Sequence, residues 1–224
     1  MFTTIQPHEI NDNKHLMNQM FKLRKVVFSD QLNWDVPVVG DIETDSYDQM
    51  GPSYLVWCSD DRQTLYGTVR LMPTTGPTLL HDVFGPTHNH SAELIGADIW
   101  EGTRMCVDEA ALARDMPGVD AGQAFRMLLL ALCETALTHG INRLVSNFEA
   151  PLSRIYRRSG LDYRLHGRAD CYSERPVFCA SFEVTPDRLR NMRRTIGINL
   201  PLYRAPQTAT CLVAASEAIA TSAA

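Results

Sequence analysis

No CxxC pair occurs in this chain, although it carries six cysteines. Cys58, Cys106, Cys133, Cys171, Cys179 and Cys211 lie far apart, and no secretory pattern precedes them. That spacing speaks against a zinc ribbon or a disulfide framework and fits reduced thiols, most of them small core residues. No run approaches 18 apolar residues, so no stable membrane insertion is expected, and the expected location is the cytoplasm. Positive charge is outnumbered. The 21 Lys and Arg against 26 Asp and Glu leave a net charge of −5, which argues against non-specific nucleic-acid binding by the whole surface. The seven histidines show no ligand spacing, His81, His88 and His90 read as loop residues, and nothing repeats. What remains is the composition of a soluble globular protein, 45% hydrophobic and 21% charged. One domain over residues 1–204 is expected, with a small-residue-rich tail, 205–224, expected to be disordered.

Hydrophobic periodicity predicts a short strand at 2–6 and a helix over 13–29, with Leu16, Met20, Leu23 and Val27 on its apolar face. Residues 29–51 have no sustained period and read as a long loop, a common form of functional lid or binding loop. Strands are predicted at 53–58, 64–73, 98–108 and 142–148, with closing strands at 161–168 and 176–184. The strongest helix runs over 121–139, with Phe125, Leu128, Leu129, Leu132 and Ala136 facing inward and Gly140 as its stop. Pro151 opens a short helix that ends at Gly160, and Pro186 starts a last basic one. Interleaved strands and helices imply a three-layer α-β-α sandwich with a mixed central sheet. A central strand, a long helix and a parallel strand in that order also occur in the acetyltransferase superfamily, a fold-level analogy.

The segment "DIETDSYD" (41–48) packs Asp41, Glu43, Asp45 and Asp48 into eight residues. It can bind a metal, hold an organic cation, or be a solvated acidic loop. A calcium loop wants a glycine at its sixth place and a glutamate at its twelfth, and zinc wants His or Cys nearby; the segment offers neither. No metal is expected. An organic cation suits the composition better, because Trp34 lies just upstream and Phe28 ends the preceding helix.

Charges also sit inside strands. Glu101 and Arg104 lie in "IWEGTRMCVDE" and Arg70 in "GTVRLMP". Buried charges are costly unless paired or used, so a structural ion pair and a functional site both remain open. Strict alternation puts Glu101 and Thr103 on one face and Arg104 on the other; Gly102 suggests a bulge that re-aims them together.

Arg24, Phe28, Trp34, Asp45, Asp48, Arg70, Phe84, Glu101 and Arg104 match, in identity and spacing, the signature of the acyl-homoserine-lactone synthases, or autoinducer synthases. The chain resembles that family to about residue 185 through "LVS…RIYRRSGL". The resemblance implies a fold related to the acetyltransferases and transfer of an acyl chain from acyl carrier protein to the amine of S-adenosylmethionine. Lactone closure then gives an N-acyl-homoserine lactone and methylthioadenosine. S-adenosylmethionine is a substrate, and no cofactor is implied. Some members use acyl-CoA. The resemblance assigns S-adenosylmethionine to Arg24, Phe28, Trp34, Asp45, Asp48 and Arg104, with Arg24 and Arg104 opposing its carboxylate or fixing the acidic loop. Glu101 is the first candidate for the general base and Glu43 the second. The acyl and thioester pocket takes Arg70, Phe84, Thr103, Met105, Val145 and Ser146, with Met127 and Leu128 as further walls. Ser146 matches the position where a hydroxyl accompanies donors oxidised at the third carbon. Several stretches look most like the branch that makes long-chain signals.

The carrier protein is acidic, so its docking surface should be basic. Arg154, Arg157 and Arg158 supply that charge, though a solvated helix face explains them as well. Arg164, Arg168, Arg190, Arg193 and Arg194 extend the patch. The rival readings are an acetyl-CoA-dependent N-acetyltransferase and a binding module for a cationic metabolite. Against the first, no Q/R-x-x-G-x-G/A turn follows the central strand. The second leaves Glu101 and the basic helix without a role.

Overall fold

Seven segments, β1 (Phe2–Ile5), β4 (Ser53–Cys58), β5 (Leu65–Pro73), β6 (Ile99–Val107), β7 (Arg143–Glu149), β8 (Arg164–Ala169) and β9 (Val177–Glu183), all but β8 largely apolar, pair into one mixed sheet in the order β1-β4-β5-β6-β7-β9-β8. The computed structural model describes residues 1–172, 175–205 and 211–213. All ladders are antiparallel except that between β6 and β7. Between those two strands runs α4 (Ala121–Thr138), the crossover helix that a parallel pair requires. Asp120 caps it by accepting from the Gln123 N–H, and Gly140 ends it at φ +78.

One face of the sheet carries α3 (Glu109–Asp115), α4, α5 (Ala150–Arg158) and α6 (Pro186–Ile196) over the largest core cluster. The other carries α1 (Lys14–Arg24) and the four-residue α2 (Leu79–Asp82). The result is the three-layer α/β sandwich implied by the segment order. Of the expected tail, 206–210 and 214–224 lie outside the described residues. Leu212 is buried in the main core, and Leu202 and Tyr203 donate backbone N–H bonds to the buried Glu134 carboxylate.

Three local departures from the predicted elements build the site. First, the helix expected over 13–29 narrows to α1 and continues from Lys25 to Gln31 in wider π-helical turns. Such widening is uncommon and recurs at functional sites. It brings Phe28 under the Arg104 guanidinium, 5.3 Å from ring centroid to Cζ. Second, the loop 29–51 is not unstructured. It contains a hairpin of β2 (Val38–Val39) and β3 (Ile42–Glu43), then a 3₁₀ turn at Ser46–Gln49. Asp45 accepts from the Tyr47 N–H and Asp48 accepts from the Asp45 N–H, a reciprocal cap.

Third, the bulge falls beyond Gly102. Gly102 pairs regularly with Leu71, whereas Arg104 and Met105 together face Val69 between the pairs Arg70–Thr103 and Thr68–Cys106. Arg104 takes φ +53 there. The extra residue breaks the alternation and turns Arg104 toward the acidic segment. The ladder between β6 and β7 stops after Glu101–Val145. Beyond that pair the two strands splay apart.

Candidate active site

The splay opens into a cavity of 330 Å³ that passes through the sheet. At one mouth Trp34 meets Phe28 and Phe84 edge-on, with centroids 6.5 and 6.3 Å apart. Thr103, Arg104 and Met105 of β6 and Val145, Ser146 and Asn147 of β7 form the waist. Deeper in, Phe125, Leu129, Leu132 and Cys133 of α4 face Leu152 and Tyr156 of α5. The expected helix wall was one face off. Leu128 packs into the core near Gly67 instead, and Met127 is not part of the lining. Of the anticipated acyl-pocket residues, Phe84, Thr103, Met105, Val145 and Ser146 line the cavity; Arg70 does not.

Arg70 belongs to a buried ion network with the acidic segment. Arg24 donates Nε to Glu43 at 2.5 Å and two N–H bonds to Asp48 at 2.7 and 2.9 Å. Arg70 grips both oxygens of Asp45 at 2.5 and 3.0 Å and also reaches Asp48 at 3.0 Å. Arg104 donates to Glu43 and Asp45 at 3.1 Å. Arg24 and Glu43 have no exposed side-chain surface, and the other four are at most 8% exposed. Burial alone would raise the Asp48 pKa, but the hydrogen bonds and charges of Arg24 and Arg70 hold it well below the usual carboxylate range. Burial likewise opposes the charge on Arg24, and Asp48 and Glu43 overcome it, so its pKa is raised.

Three carboxylates thus face three guanidiniums. The sequence expectation set Asp45 and Asp48 against an organic cation; the structure sets them against arginines, and neither lines the cavity. Nor are they a solvated loop. Asp41 alone is surface-exposed, paired with Lys22 at 2.8 Å. The network reaches the cavity through Arg104 and, by way of the Arg70 Nε bond at 3.1 Å, through the Thr103 hydroxyl. Among the described residues no group of three metal-ligating side chains occurs, and no helix is long and apolar enough to cross a membrane.

Glu101 stands apart. It is 1% exposed, and neither carboxylate oxygen has a hydrogen-bond partner of normal geometry. Burial pushes its pKa up to about 8, while the Arg70 charge and the nearby backbone N–H groups of Leu80 and Leu79 offset only part of the rise. It lies one residue from Gly102 and under Leu79, both of which line the cavity. Glu43, the second candidate base, is fully buried and held by two arginines.

Glu149 and Tyr156 were missed in the sequence. Glu149 ends β7, lines the cavity, and accepts the Trp34 indole N–H at 3.0 Å. The signal was available: a carboxylate stands directly before a helix opened by Pro151. Tyr156 faces Ser146. Arg154, Arg157 and Arg158 are exposed on α5, outside the cavity wall formed by its other face.

An aromatic mouth, a network-held arginine and an apolar bore through a splayed sheet suit transfer of an acyl group to a small polar acceptor. The family model described as autoinducer synthase matches residues 8–192. The chain belongs to the autoinducer synthase family. The autoinducer synthase is 30% identical over 193 residues to an acyl-homoserine-lactone synthase of Rhizobium etli, covering 84% of this chain and 86% of that one. A second, from Agrobacterium fabrum, is 30% identical over 167 residues, covering 73% and 77%. Family membership makes the chain an acyltransferase, an acyl-homoserine-lactone synthase. In fold, this autoinducer synthase resembles the CoA-dependent synthase BjaI, solved with SAM and isopentyl-CoA, at TM-score 0.81 and 22% identity over 97% of this chain and 99% of that one. A Lactobacillus plantarum protein named as an N-acetyltransferase matches at TM-score 0.50, in line with the wider acetyltransferase-like fold.

Proposed function

We propose that the protein transfers an acyl chain from acyl carrier protein to the amine of S-adenosylmethionine and then closes the homoserine lactone, releasing methylthioadenosine. The observation that carries this reading is the cavity that runs through the β6–β7 splay. It has an aromatic, charged mouth for a cationic acceptor and an apolar bore for an acyl chain. Phe28, Trp34 and Phe84 meet the sulfonium substrate, and Arg104 meets its carboxylate. Arg24, Arg70, Glu43, Asp45 and Asp48 act behind this surface, holding Arg104 and Thr103 in place.

The amine must be neutral to attack the thioester. Glu101 accepts its proton, through a bridging water or a small shift of Leu79, because its carboxylate lies just behind the cavity wall. A base whose pKa is near 8 is well matched to an aliphatic α-amine. Lactonisation then needs positioning more than catalysis, since the attack is intramolecular and the sulfonium leaves as a neutral thioether.

The donor side is supported by the exposed arginines of α5, whose inner face lines the bore. Reversing Arg154 and Arg158 to Glu should raise the apparent KM for the carrier-bound donor and blunt its salt dependence, while a small acyl thioester with neither carrier protein nor phosphate should be affected much less. Steady-state kinetics with both donors at two ionic strengths checks this. An equal response to both donors would assign the arginines a structural role. A bore of this apolar composition also favours long chains, at about 0.8 kcal/mol per buried CH₂, so lactones of roughly twelve carbons or more should dominate. Mass spectrometry of lactones from a heterologous host that supplies both short and long donors tests that, and a profile of four- to eight-carbon chains would contradict it.

A further inference from the structure

We propose that Glu149 is the carboxylate that recognises the positive charge of the acceptor substrate, in place of the acidic segment whose composition first suggested that role. The inference rests on the reading that the acceptor is S-adenosylmethionine and assigns its charge recognition to one side chain.

The argument is an electrostatic inventory of the cavity. Its lining carries Arg104, Arg175 and Glu149 as charged side chains. Glu149 is therefore the carboxylate that meets the cavity among the described residues. Glu43, Asp45 and Asp48 are matched one for one by Arg24, Arg70 and Arg104, so the network presents no net negative charge. Arg104 is the member of that balanced network that reaches the cavity, where its guanidinium suits a substrate carboxylate and offers nothing to a sulfonium. An anion for the sulfonium must come from elsewhere in the lining, and β7 supplies it.

Glu149 is built into place. The Trp34 indole N–H fixes one oxygen at 3.0 Å, which sets the carboxylate beside the ring that meets Phe28 and Phe84. The other oxygen lies 3.6 Å from an Arg175 nitrogen. The Glu149 side chain is 13% exposed and that of Arg175 62%, so solvent weakens this partner more than it would a buried one. Glu149 also immediately precedes α5, whose N-terminal N–H groups favour a negative charge there. A fixed carboxylate among aromatic rings is the arrangement that holds a cation unable to lose its charge.

The assignment has a consequence for turnover. S-adenosylmethionine carries a permanent sulfonium, whereas methylthioadenosine is neutral. Glu149 thus attracts the substrate and has no charge to hold in the product.

The Glu149→Gln variant separates charge from hydrogen bonding, because its side-chain oxygen still accepts from Trp34. Isothermal titration calorimetry of wild type and variant, with S-adenosylmethionine and with methylthioadenosine, reads the effect directly. The variant should bind S-adenosylmethionine roughly 10–100-fold more weakly, the scale of one charged contact. It should bind methylthioadenosine within about twofold of wild type. Glu149→Asp should recover part of the loss. Thermal melting checks that both variants fold. Unchanged S-adenosylmethionine affinity in Glu149→Gln would overturn the inference. So would an equal loss for both ligands, since Glu149 would then only position Trp34. A wild-type protein that binds neither ligand would overturn the proposed function itself, and this inference with it.

Discussion

Replacing Arg24 by methionine should destabilise the protein by about 3–5 kcal/mol and leave little activity. The side chain has no exposed surface and engages Glu43 and Asp48 with three hydrogen bonds. Methionine fills similar space but strands two buried carboxylates, which is worse than replacing the whole network by apolar groups. The loss should reach the cavity as well, because Glu43 also holds Arg104. The sign of the pH dependence follows from Asp48, whose pKa is depressed in the fold. Its contribution is present above the unfolded value near 3.8 and disappears as pH falls through the lower folded value. In Arg24→Met that acid-side loss should shrink. Urea denaturation between pH 2 and 7 measures both effects. A loss under about 1 kcal/mol, the scale of a surface ion pair, would mean that the network is solvated after all.

The second large effect belongs to Glu101. Glu101→Gln should lower kcat/KM by roughly 10²–10⁴-fold, the usual scale for a positioned general base. The same change should stabilise the fold at alkaline pH. The Glu101 pKa is raised in the folded state from 4.5 to about 8. Its contribution to stability is thus fully present below pH 4.5 and is lost as pH rises through 8. That rise corresponds to about 5 kcal/mol at most. Glutamine cannot ionise, so the variant should be the more stable protein at pH 9 and nearly equal at pH 4. The wild-type rate should climb with pH as Glu101 ionises, and the variant should show only the titration of the substrate amine. Paired melting curves and pH–rate profiles decide it. Near-wild-type turnover at neutral pH would remove Glu101 from the proton path. A stability gain coupled to a loss of rate is the expected mark of a carboxylate retained for chemistry.

The layers of the fold were legible because they rest on periodicity. The α4 pattern and the apolar strands encode their own burial, and Gly140 and Pro151 mark their ends. Identity and spacing alone picked out residues that the fold then brings to one place: Phe28, Trp34, Phe84 and Arg104 at the mouth, and Arg24, Arg70, Asp45 and Asp48 directly behind it. What the sequence hid was pairing. A run of four carboxylates looks solvated or ligand-binding until three arginines from α1, β5 and β6 are brought against it, and those contacts span 19 to 61 residues along the chain. The bulge was expected at Gly102 because glycine tolerates it, yet Arg104 takes the left-handed conformation. The ion pairs to Glu43 and Asp45 hold it there, and no local rule reports them. For Glu149 the place before a Pro-opened helix was legible, but its pairing was not, since its partner Trp34 lies 115 residues away.

Acyl transfer to S-adenosylmethionine is the centre of this account. It is tested by incubating the purified protein with S-adenosylmethionine and an equimolar mixture of acyl carrier protein and CoA donors of several chain lengths, followed by mass spectrometry. The account predicts N-acyl-homoserine lactones and an equal amount of methylthioadenosine, drawn mainly from the long carrier-bound donors. Acylated products that retain the sulfonium, acetylation of an unrelated amine, or no turnover with any donor would contradict it.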